Sequence, residues 1–112
     1  MFLRKPNQYS FLLRNRKYLM STPKMPKVSI CIPTFNSENY LRQAIESALS
    51  QNDQDFEIVI VDNCSTDHTG KLVEDLQKRN DGRVHFYKND HNIGLAGNFN
   101  ECLKYAQGEY IK

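Results

Sequence analysis

The sequence predicts an α/β fold, namely an open, mostly parallel sheet with helices on both faces. Short apolar segments alternate with amphipathic ones from residue 27 onward, in the order β-α-β-α-β-α-β. One of the apolar segments, residues 56–61, is almost continuously β-branched, which is typical of a strand covered on both faces. Helical crossovers between such strands favour parallel pairing with right-handed connections.

The first strand is predicted at residues 28–32, where a short apolar run ends at Pro33. Asn36 or Ser37 is expected to cap the helix that follows, since both are preferred N-cap residues. The apolar positions of this helix repeat at helical spacing and fall on one face: Leu41, Ala44, Ile45, Ala48 and Leu49.

The second strand, residues 56–61, is followed by a polar loop at residues 62–67 and by a helix that ends near Gly82. A third, shorter strand is predicted at residues 84–87. The third helix is expected to bury one apolar face and to stop at Gly108, before a fourth strand begins at residues 109–112. The predicted buried face consists of Leu95, Phe99, Cys102, Leu103 and Ala106.

Residues 1–26 are interpreted as a basic, flexible N-terminal extension, and residues 27–112 as a single partial domain. Residues 1–27 contain seven Lys and Arg and no acid, which leaves −5 for the remainder of a chain with net charge +2. The folded part therefore has no basic excess for nucleic acid. Three cysteines without metal-like spacing indicate reduced thiols in a cytoplasmic protein, with at most peripheral membrane association through the basic segment.

Ligands of open α/β sheets bind beyond the carboxyl ends of the strands. The polar loops at residues 33–36, 62–67 and 89–94 are therefore expected to form one ligand-binding rim. Asp62 could accept a hydrogen bond from a base or a ribose, or could only cap the second helix, and the sequence leaves both open. Backbone N–H groups at residues 92–98 could form a modest anion site. Neither a dinucleotide glycine motif nor a phosphate-binding P-loop motif occurs.

Four motifs in register resemble glycosyltransferase family 2, whose members are inverting enzymes with a GT-A fold: VSICIPTFN at 28–36, EIVIVDNCSTD at 57–67, NIGL at 92–95 and GEYI at 108–111. The resemblance implies a nucleotide-diphosphate sugar donor, commonly UDP-linked, and an unknown glycan, lipid or protein acceptor. It places the base and ribose near Pro33, Thr34, Phe35 and Glu38, with the N3–H of uracil on Asp62. It places the ribose-diphosphate side along residues 92–98, including Asn92, Gly94 and Asn98.

The sequence departs from the family pattern at two places. Asp62-Asn63-Cys64-Ser65 stands where many members have Asp-Asp-Gly-Ser, and Phe99 stands where many have an arginine near the diphosphate. The family also holds Mg²⁺ or Mn²⁺ on a carboxylate pair after the fourth strand. Lys112 precedes that pair, so the resemblance implies an N-terminal fragment that is inactive alone and contains no catalytic or metal residues.

An Asp-x-Asp sequence within this chain, Asp53-Gln54-Asp55, is expected to lie at the amino end of the second strand, about 20 Å from the ligand rim. It is therefore interpreted as a solvated turn. Two alternatives to an enzyme remain open. One is a non-catalytic nucleotide-binding remnant, or a partner of a separately encoded second half. The other is a receiver-like interaction domain, for which the residues after the third strand are a poor fit.

Overall fold

A five-stranded sheet with helices on both faces forms the centre of the structure, a computed structural model that describes the backbone of residues 3–4 and all of residues 25–79 and 82–112. In chain order the elements are β1 (Leu3–Arg4), β2 (Val28–Thr34), α1 (Leu41–Leu49), β3 (Phe56–Asp62), α2 (Thr69–Lys78), β4 (Val84–Lys88), α3 (Gly94–Tyr105) and β5 (Tyr110–Ile111).

The strand order is β1-β5-β2-β3-β4. β5, β2, β3 and β4 run parallel, and β1 adds an antiparallel pair at the edge, with Leu3 opposite Ile111. The predicted α/β class and parallel sheet are confirmed. Of the predicted N-terminal extension, residues 3–4 join the sheet edge, while residues 1–2 and 5–24 lie outside the described residues.

Every residue of β3 is buried, and its side chains alternate between two cores. Ile58 and Ile60 pack with α1 and α2 on one face, where Ile45 and Val73 are completely buried. Val59 and Val61 pack with Cys102 and Ala106 of the α3 segment on the other face. This two-sided burial explains why the sequence of β3 is apolar throughout rather than alternating.

The buried face of α3 agrees with the predicted one at Cys102 and Ala106 but not at Leu95 and Phe99. Asn98 and Cys102 are buried within the helix, whereas Leu95 is 81% exposed and Phe99 is 36% exposed. The helix is rotated because the side-chain amide of Asn98 donates to the carbonyl of Val61 at 2.9 Å, which turns this polar residue toward the sheet. Leu95 and Phe99 consequently lie on the open side of the helix.

The predicted cap of the first helix is also wrong. α1 begins at Leu41 after Tyr40, without a side-chain cap hydrogen bond. Asn36 has φ 47°, and its side chain accepts from Thr66 N at 2.9 Å instead of capping the helix. The N–H of Ser37 donates to Thr69 Oγ1 at 3.1 Å. Both residues are thus bound to the segment that follows β3, Asn36 to its loop and Ser37 to the first residue of α2.

Gly108 permits a close approach of two chain segments rather than ending α3. The helix ends at Tyr105, and Ala106 is already extended at ψ 129°. The N–H of Gly108 donates to Ser29 Oγ at 2.7 Å, and a Cβ at position 108 would lie 2.5 Å from Ser29 N. Ser29 Oγ in turn donates to the buried carboxylate of Glu57 at 2.6 Å. This polar chain positions β5 beside β2.

The three cysteines are free thiols in the structure. Cys102 is completely buried, and a hydrogen bond with Cys31, together with burial, raises the pKa of the Cys102 thiol far above its ordinary value. A thiol with such a raised pKa stays protonated at neutral pH and is a poor nucleophile. Cys102 therefore contributes to the core as a small apolar residue.

Candidate functional site

Three polar loops meet at the carboxyl edge of the parallel strands, as the sequence predicts. The loop after β2 is bound to the loop after β3 through Asn36 N to Ser65 Oγ at 2.8 Å and Glu38 N to Asp67 Oδ2 at 3.3 Å. The loop after β3 is bound to the loop after β4 through Ile93 N to Asn63 Oδ1 at 2.9 Å. The rim is therefore one hydrogen-bonded unit contributed by three connections.

An open cleft of about 210 Å³ lies at this rim. Its lining residues come from the ends of β2 and β3, the loop after β4 and the start of α3: Pro33, Thr34, Phe35, Asn63, Asn92, Leu95 and Asn98. The structure thus brings together five of the residues for which the family resemblance implies nucleotide contact. Leu95 lies within the segment 92–98 that the resemblance also implies, and Asn63 is additional.

Thr34 and Phe35 give the cleft a polar and an aromatic wall. Thr34 is 4% exposed, and its hydroxyl oxygen has no hydrogen-bond partner among the residues that the structure describes. A buried hydroxyl without a partner is unfavourable by about 1–3 kcal/mol, so such groups in native proteins are typically satisfied by water or ligand. Phe35 is 48% exposed, which leaves its ring accessible to a planar group.

Asp62 lies behind the cleft rather than in its lining. It is 1% exposed, and its carboxylate accepts the backbone N–H of Ser65 at 3.0 Å and also the hydroxyl of Ser65. In this structure Asp62 therefore orders the loop after β3 and does not cap α2, which begins at Thr69 after His68 without a side-chain cap hydrogen bond. Contact between Asp62 and a base stays a prediction, and it requires this 1% exposed carboxylate to become accessible from the cleft.

Asn63 is the site residue that the family resemblance did not assign. It is 4% exposed and lines the cleft, and its side chain is hydrogen-bonded to the loop after β4. At this position the sequence has an amide where many family members have their second aspartate. This difference was a signal that could have identified Asn63 as a site residue.

Two of the backbone N–H groups in the predicted anion site at the start of α3 already have side-chain acceptors, and anion binding there stays a prediction. Ile93 N donates to Asn63 Oδ1 at 2.9 Å, and Gly94 N donates to Asn92 Oδ1 at 2.8 Å. Because side-chain oxygens already accept from these two groups, a phosphate would have to displace them. Gly94 has φ 83°, a conformation that favours glycine, and it is not among the residues lining the cleft.

Asn98 and Glu38 have structural partners of their own. Asn98 lines the cleft, but its amide nitrogen donates to Val61 O and its oxygen accepts from Asn89 Nδ2 at 2.9 Å. Glu38 lines a separate groove beside α2, where its carboxylate accepts from His68 N at 3.0 Å. Contact of Glu38 with a nucleotide stays a prediction, and the structure places it outside the cleft.

Among the described residues, no group of three or more His, Cys, Asp or Glu could hold a metal ion. Asp55 lies at the amino end of β3, where its carboxylate accepts from Lys27 N at 3.2 Å. Asp53 in turn accepts from Asp55 N at 3.0 Å. The Asp53-Gln54-Asp55 sequence is therefore a turn at the edge of the sheet opposite the cleft.

None of the described helices is long and apolar enough to cross a membrane.

Comparison with known proteins agrees with this geometry. The sequence profile described as Glycosyl transferase family 2 matches residues 29–111. A similar curated protein is a GalNAc(5)-diNAcBac-PP-undecaprenol beta-1,3-glucosyltransferase of Campylobacter jejuni, 39% identical over 78% of this chain and 28% of the relative. The putative teichuronic acid biosynthesis glycosyltransferase TuaG of Bacillus subtilis is 36% identical over 77% of this chain and 34% of the relative.

Solved structures give the same result. S. aureus TarS 1-349 in complex with UDP-GlcNAc superimposes with a TM-score of 0.68 at 36% identity, over 76% of this chain and 25% of that one. The mannosyltransferase PcManGT of Pyrobaculum calidifontis, in complex with GDP-Man and Mn²⁺, shares the fold, with a TM-score of 0.71 over 91% of this chain and 32% of that one. The chain spans about a third of the length of the curated relatives it matches. With the profile match covering most of the chain, the chain belongs to glycosyl transferase family 2.

Proposed function

We propose that the cleft binds the nucleotide of a nucleotide-diphosphate sugar, with a UDP-sugar as the donor. The observation that carries this proposal is the buried hydroxyl of Thr34, which lacks a partner among the described residues and belongs to a cleft at the carboxyl edge of the sheet. A polar ligand at this edge would satisfy the hydroxyl. The related TarS structure with UDP-GlcNAc supports the choice of a uridine nucleotide.

The size and chemistry of the cleft favour the base and part of the ribose. Its volume of about 210 Å³ is below the roughly 300 Å³ at which sites for complete small ligands begin. Phe35 supplies a ring on which a base can stack, and Thr34 supplies a hydroxyl for the edge of the base. Asn92 is exposed at the rim and is able to donate to the ribose side.

The transfer reaction itself is proposed for the whole protein. Family membership supports transfer of a hexosyl group to a glycan, lipid or protein acceptor with inversion at the anomeric carbon. A divalent cation would stabilise the charge that develops on the diphosphate leaving group. The described residues do not form a site for that cation. We assign these residues to donor binding, and we propose that the whole protein acts in the cytoplasm.

The test is uridine diphosphate binding by calorimetry with Thr34→Val. Because the hydroxyl has no partner among the described residues, its replacement by a methyl group should leave the free energy of unfolding unchanged or slightly higher. Loss of one hydrogen bond to the nucleotide should weaken binding about two- to tenfold. Unchanged affinity in Thr34→Val would contradict the proposal.

Thr69→Val is the matched control, since the Thr69 hydroxyl accepts from Ser37 N and donates to Asp67. This variant should lose stability, in contrast to Thr34→Val.

A protein that contains these residues and the remainder of a family 2 enzyme should also transfer sugar. Nucleotide binding without any transfer in that longer protein would favour the alternative of a non-catalytic nucleotide-binding remnant.

A further inference from the structure

The side-chain amide of Asn63 holds the segment of residues 89–94, which we name the rim loop. Asn63 Nδ2 donates to Asn92 Oδ1 at 2.9 Å and to Gly94 O at 3.2 Å. Asn63 Oδ1 accepts from Ile93 N at 2.9 Å and from Asn89 Nδ2 at 3.1 Å. The two amide hydrogens and two lone pairs are therefore all directed at one loop.

These contacts connect the rim loop to a rigid part of the fold. Asn63 directly follows β3, and its backbone N–H donates to Thr34 O at 2.8 Å. The rim loop in turn contributes Asn92 to the cleft and leads into α3, from which Leu95 and Asn98 line the cleft. Asn63 therefore holds this wall of the cleft to the central strand together with two further bonds, from Asn89 N to Asp62 O at 2.8 Å and from Asn98 Nδ2 to Val61 O at 2.9 Å.

We propose that Asn63 is a positioning residue that keeps the rim loop closed on the nucleotide cleft, a role that rests on the proposed nucleotide binding. An amide fits these four contacts, because its nitrogen donates to Asn92 Oδ1 and Gly94 O while its oxygen accepts from Ile93 N and Asn89 Nδ2. An aspartate at position 63 would keep the acceptor for Ile93 N and Asn89 Nδ2. It would also place a carboxylate oxygen against two acceptors, Asn92 Oδ1 and Gly94 O.

Asn63→Asp tests the proposal by two measurements on the complete chain. Hydrogen exchange of the Ile93 and Gly94 amides should become at least tenfold faster, since two hydrogen bonds of the loop are removed and two repulsive contacts appear. Exchange in the β3 core should remain unchanged. Binding of UDP and of GDP should weaken by the same factor, because an open loop affects any nucleotide. Unchanged exchange of the loop amides would overturn the proposal.

Asn52→Asp is the control, since Asn52 is exposed and the substitution makes the same change in charge. It should leave loop exchange and nucleotide affinity as they are. If Asn63→Asp fails to fold, Asn92→Ala removes the Oδ1 that accepts from Asn63 Nδ2 and also from Gly94 N. Exchange is therefore read at Ile93, whose N–H is bound by Asn63 Oδ1, and it should likewise accelerate. Unchanged exchange in Asn92→Ala would contradict the proposal as well.

A different result would assign Asn63 to direct base reading. In that case Asn63→Asp would change the ratio of UDP to GDP affinity while the exchange of the loop amides stayed constant, and the positioning role would be wrong. If the parent chain binds neither nucleotide, the proposed function fails, but the exchange measurement still decides whether Asn63 holds the loop.

Discussion

The carboxylate of Asp62 accepts two hydrogen bonds from Ser65, one from the backbone N–H at 3.0 Å and one from the hydroxyl. Asp62 is the last residue of β3 and is 1% exposed, so these bonds determine how the chain leaves the central strand. Since the Ser65 hydroxyl also accepts from Asn36 N, the same contact extends to the loop after β2.

We expect Asp62→Ala to destabilise the fold, because it leaves two buried donors of Ser65 without their acceptor. Hydrogen bonds to a charged group contribute roughly 1.5–3 kcal/mol each, and the substitution should lower the free energy of unfolding by at least the lower value. Urea unfolding measures the change. Asp90→Asn, on an exposed residue of the rim loop, should stay within about 0.5 kcal/mol of the parent. Equal stability of Asp62→Ala and the parent would contradict the assignment.

Gly108→Ala should be strongly destabilising. An added Cβ would lie 2.5 Å from Ser29 N and 2.8 Å from Val28 C, and both are backbone atoms that cannot move without shifting β2. Overpacking of this kind typically costs about 1–3 kcal/mol, and we expect the upper end. Thermal unfolding of Gly70→Ala provides the contrast, because its nearest contact would be at 4.0 Å and helix propensity favours alanine. A neutral Gly108→Ala would show that β2 and β5 are not held this closely.

Asp67 should contribute to the loss of stability in acid. The hydrogen bond from the Thr69 hydroxyl holds the pKa of the Asp67 carboxyl below its ordinary value of 3.8. A carboxyl with a lowered pKa in the folded state stabilises the protein above its ordinary pKa, and this contribution is lost as pH falls through the folded-state pKa. Asp67→Asn should therefore lose less stability than the parent between pH 6 and about pH 3.

Urea midpoints at the two pH values measure this difference. Asp53→Asn, in the turn at the opposite edge of the sheet, serves as the comparison for removal of one carboxylate. A decline in Asp67→Asn as steep as that of the parent would show that the hydrogen bond to Thr69 does not contribute to acid sensitivity.

Cys64→Gly should stabilise the protein. Cys64 has φ 65°, a left-handed conformation that costs a residue with a Cβ about 1 kcal/mol, and glycine adopts it without this cost. The substitution removes only a weak hydrogen bond, in which the Cys64 thiol donates to Asp90 O at 3.6 Å. The expected gain is several tenths of a kcal/mol in urea unfolding. Cys64→Ala removes the thiol but keeps the Cβ, so it should show no gain. Equal stability of the glycine and alanine variants would contradict the explanation.

The sequence by itself determined the fold class and the edge of the sheet at which the polar loops meet. The fully apolar residues of β3 predict burial on both faces, and the polar residues that follow each strand predict one rim, because parallel strands place their carboxyl ends on the same edge. Both features follow from local repeats along the chain. The spacing of apolar residues along the chain predicts which side chains face the core. It does so without information about which residue each of them contacts there.

Only the tertiary structure decided which polar groups meet. Asn63 is bound to Asn92 and Gly94, which lie 29 and 31 residues away in the chain. Asn36 is bound to Ser65 and Thr66, which lie 29 and 30 residues away. The rotation of α3 likewise depends on the bond from Asn98 to Val61, over 37 residues. Each donor selects one acceptor from several on the same rim, and that choice depends on three-dimensional distances between loops. No spacing within a single loop contains this information, so the orientation of Asp62 and the role of Asn63 emerged only from the folded chain.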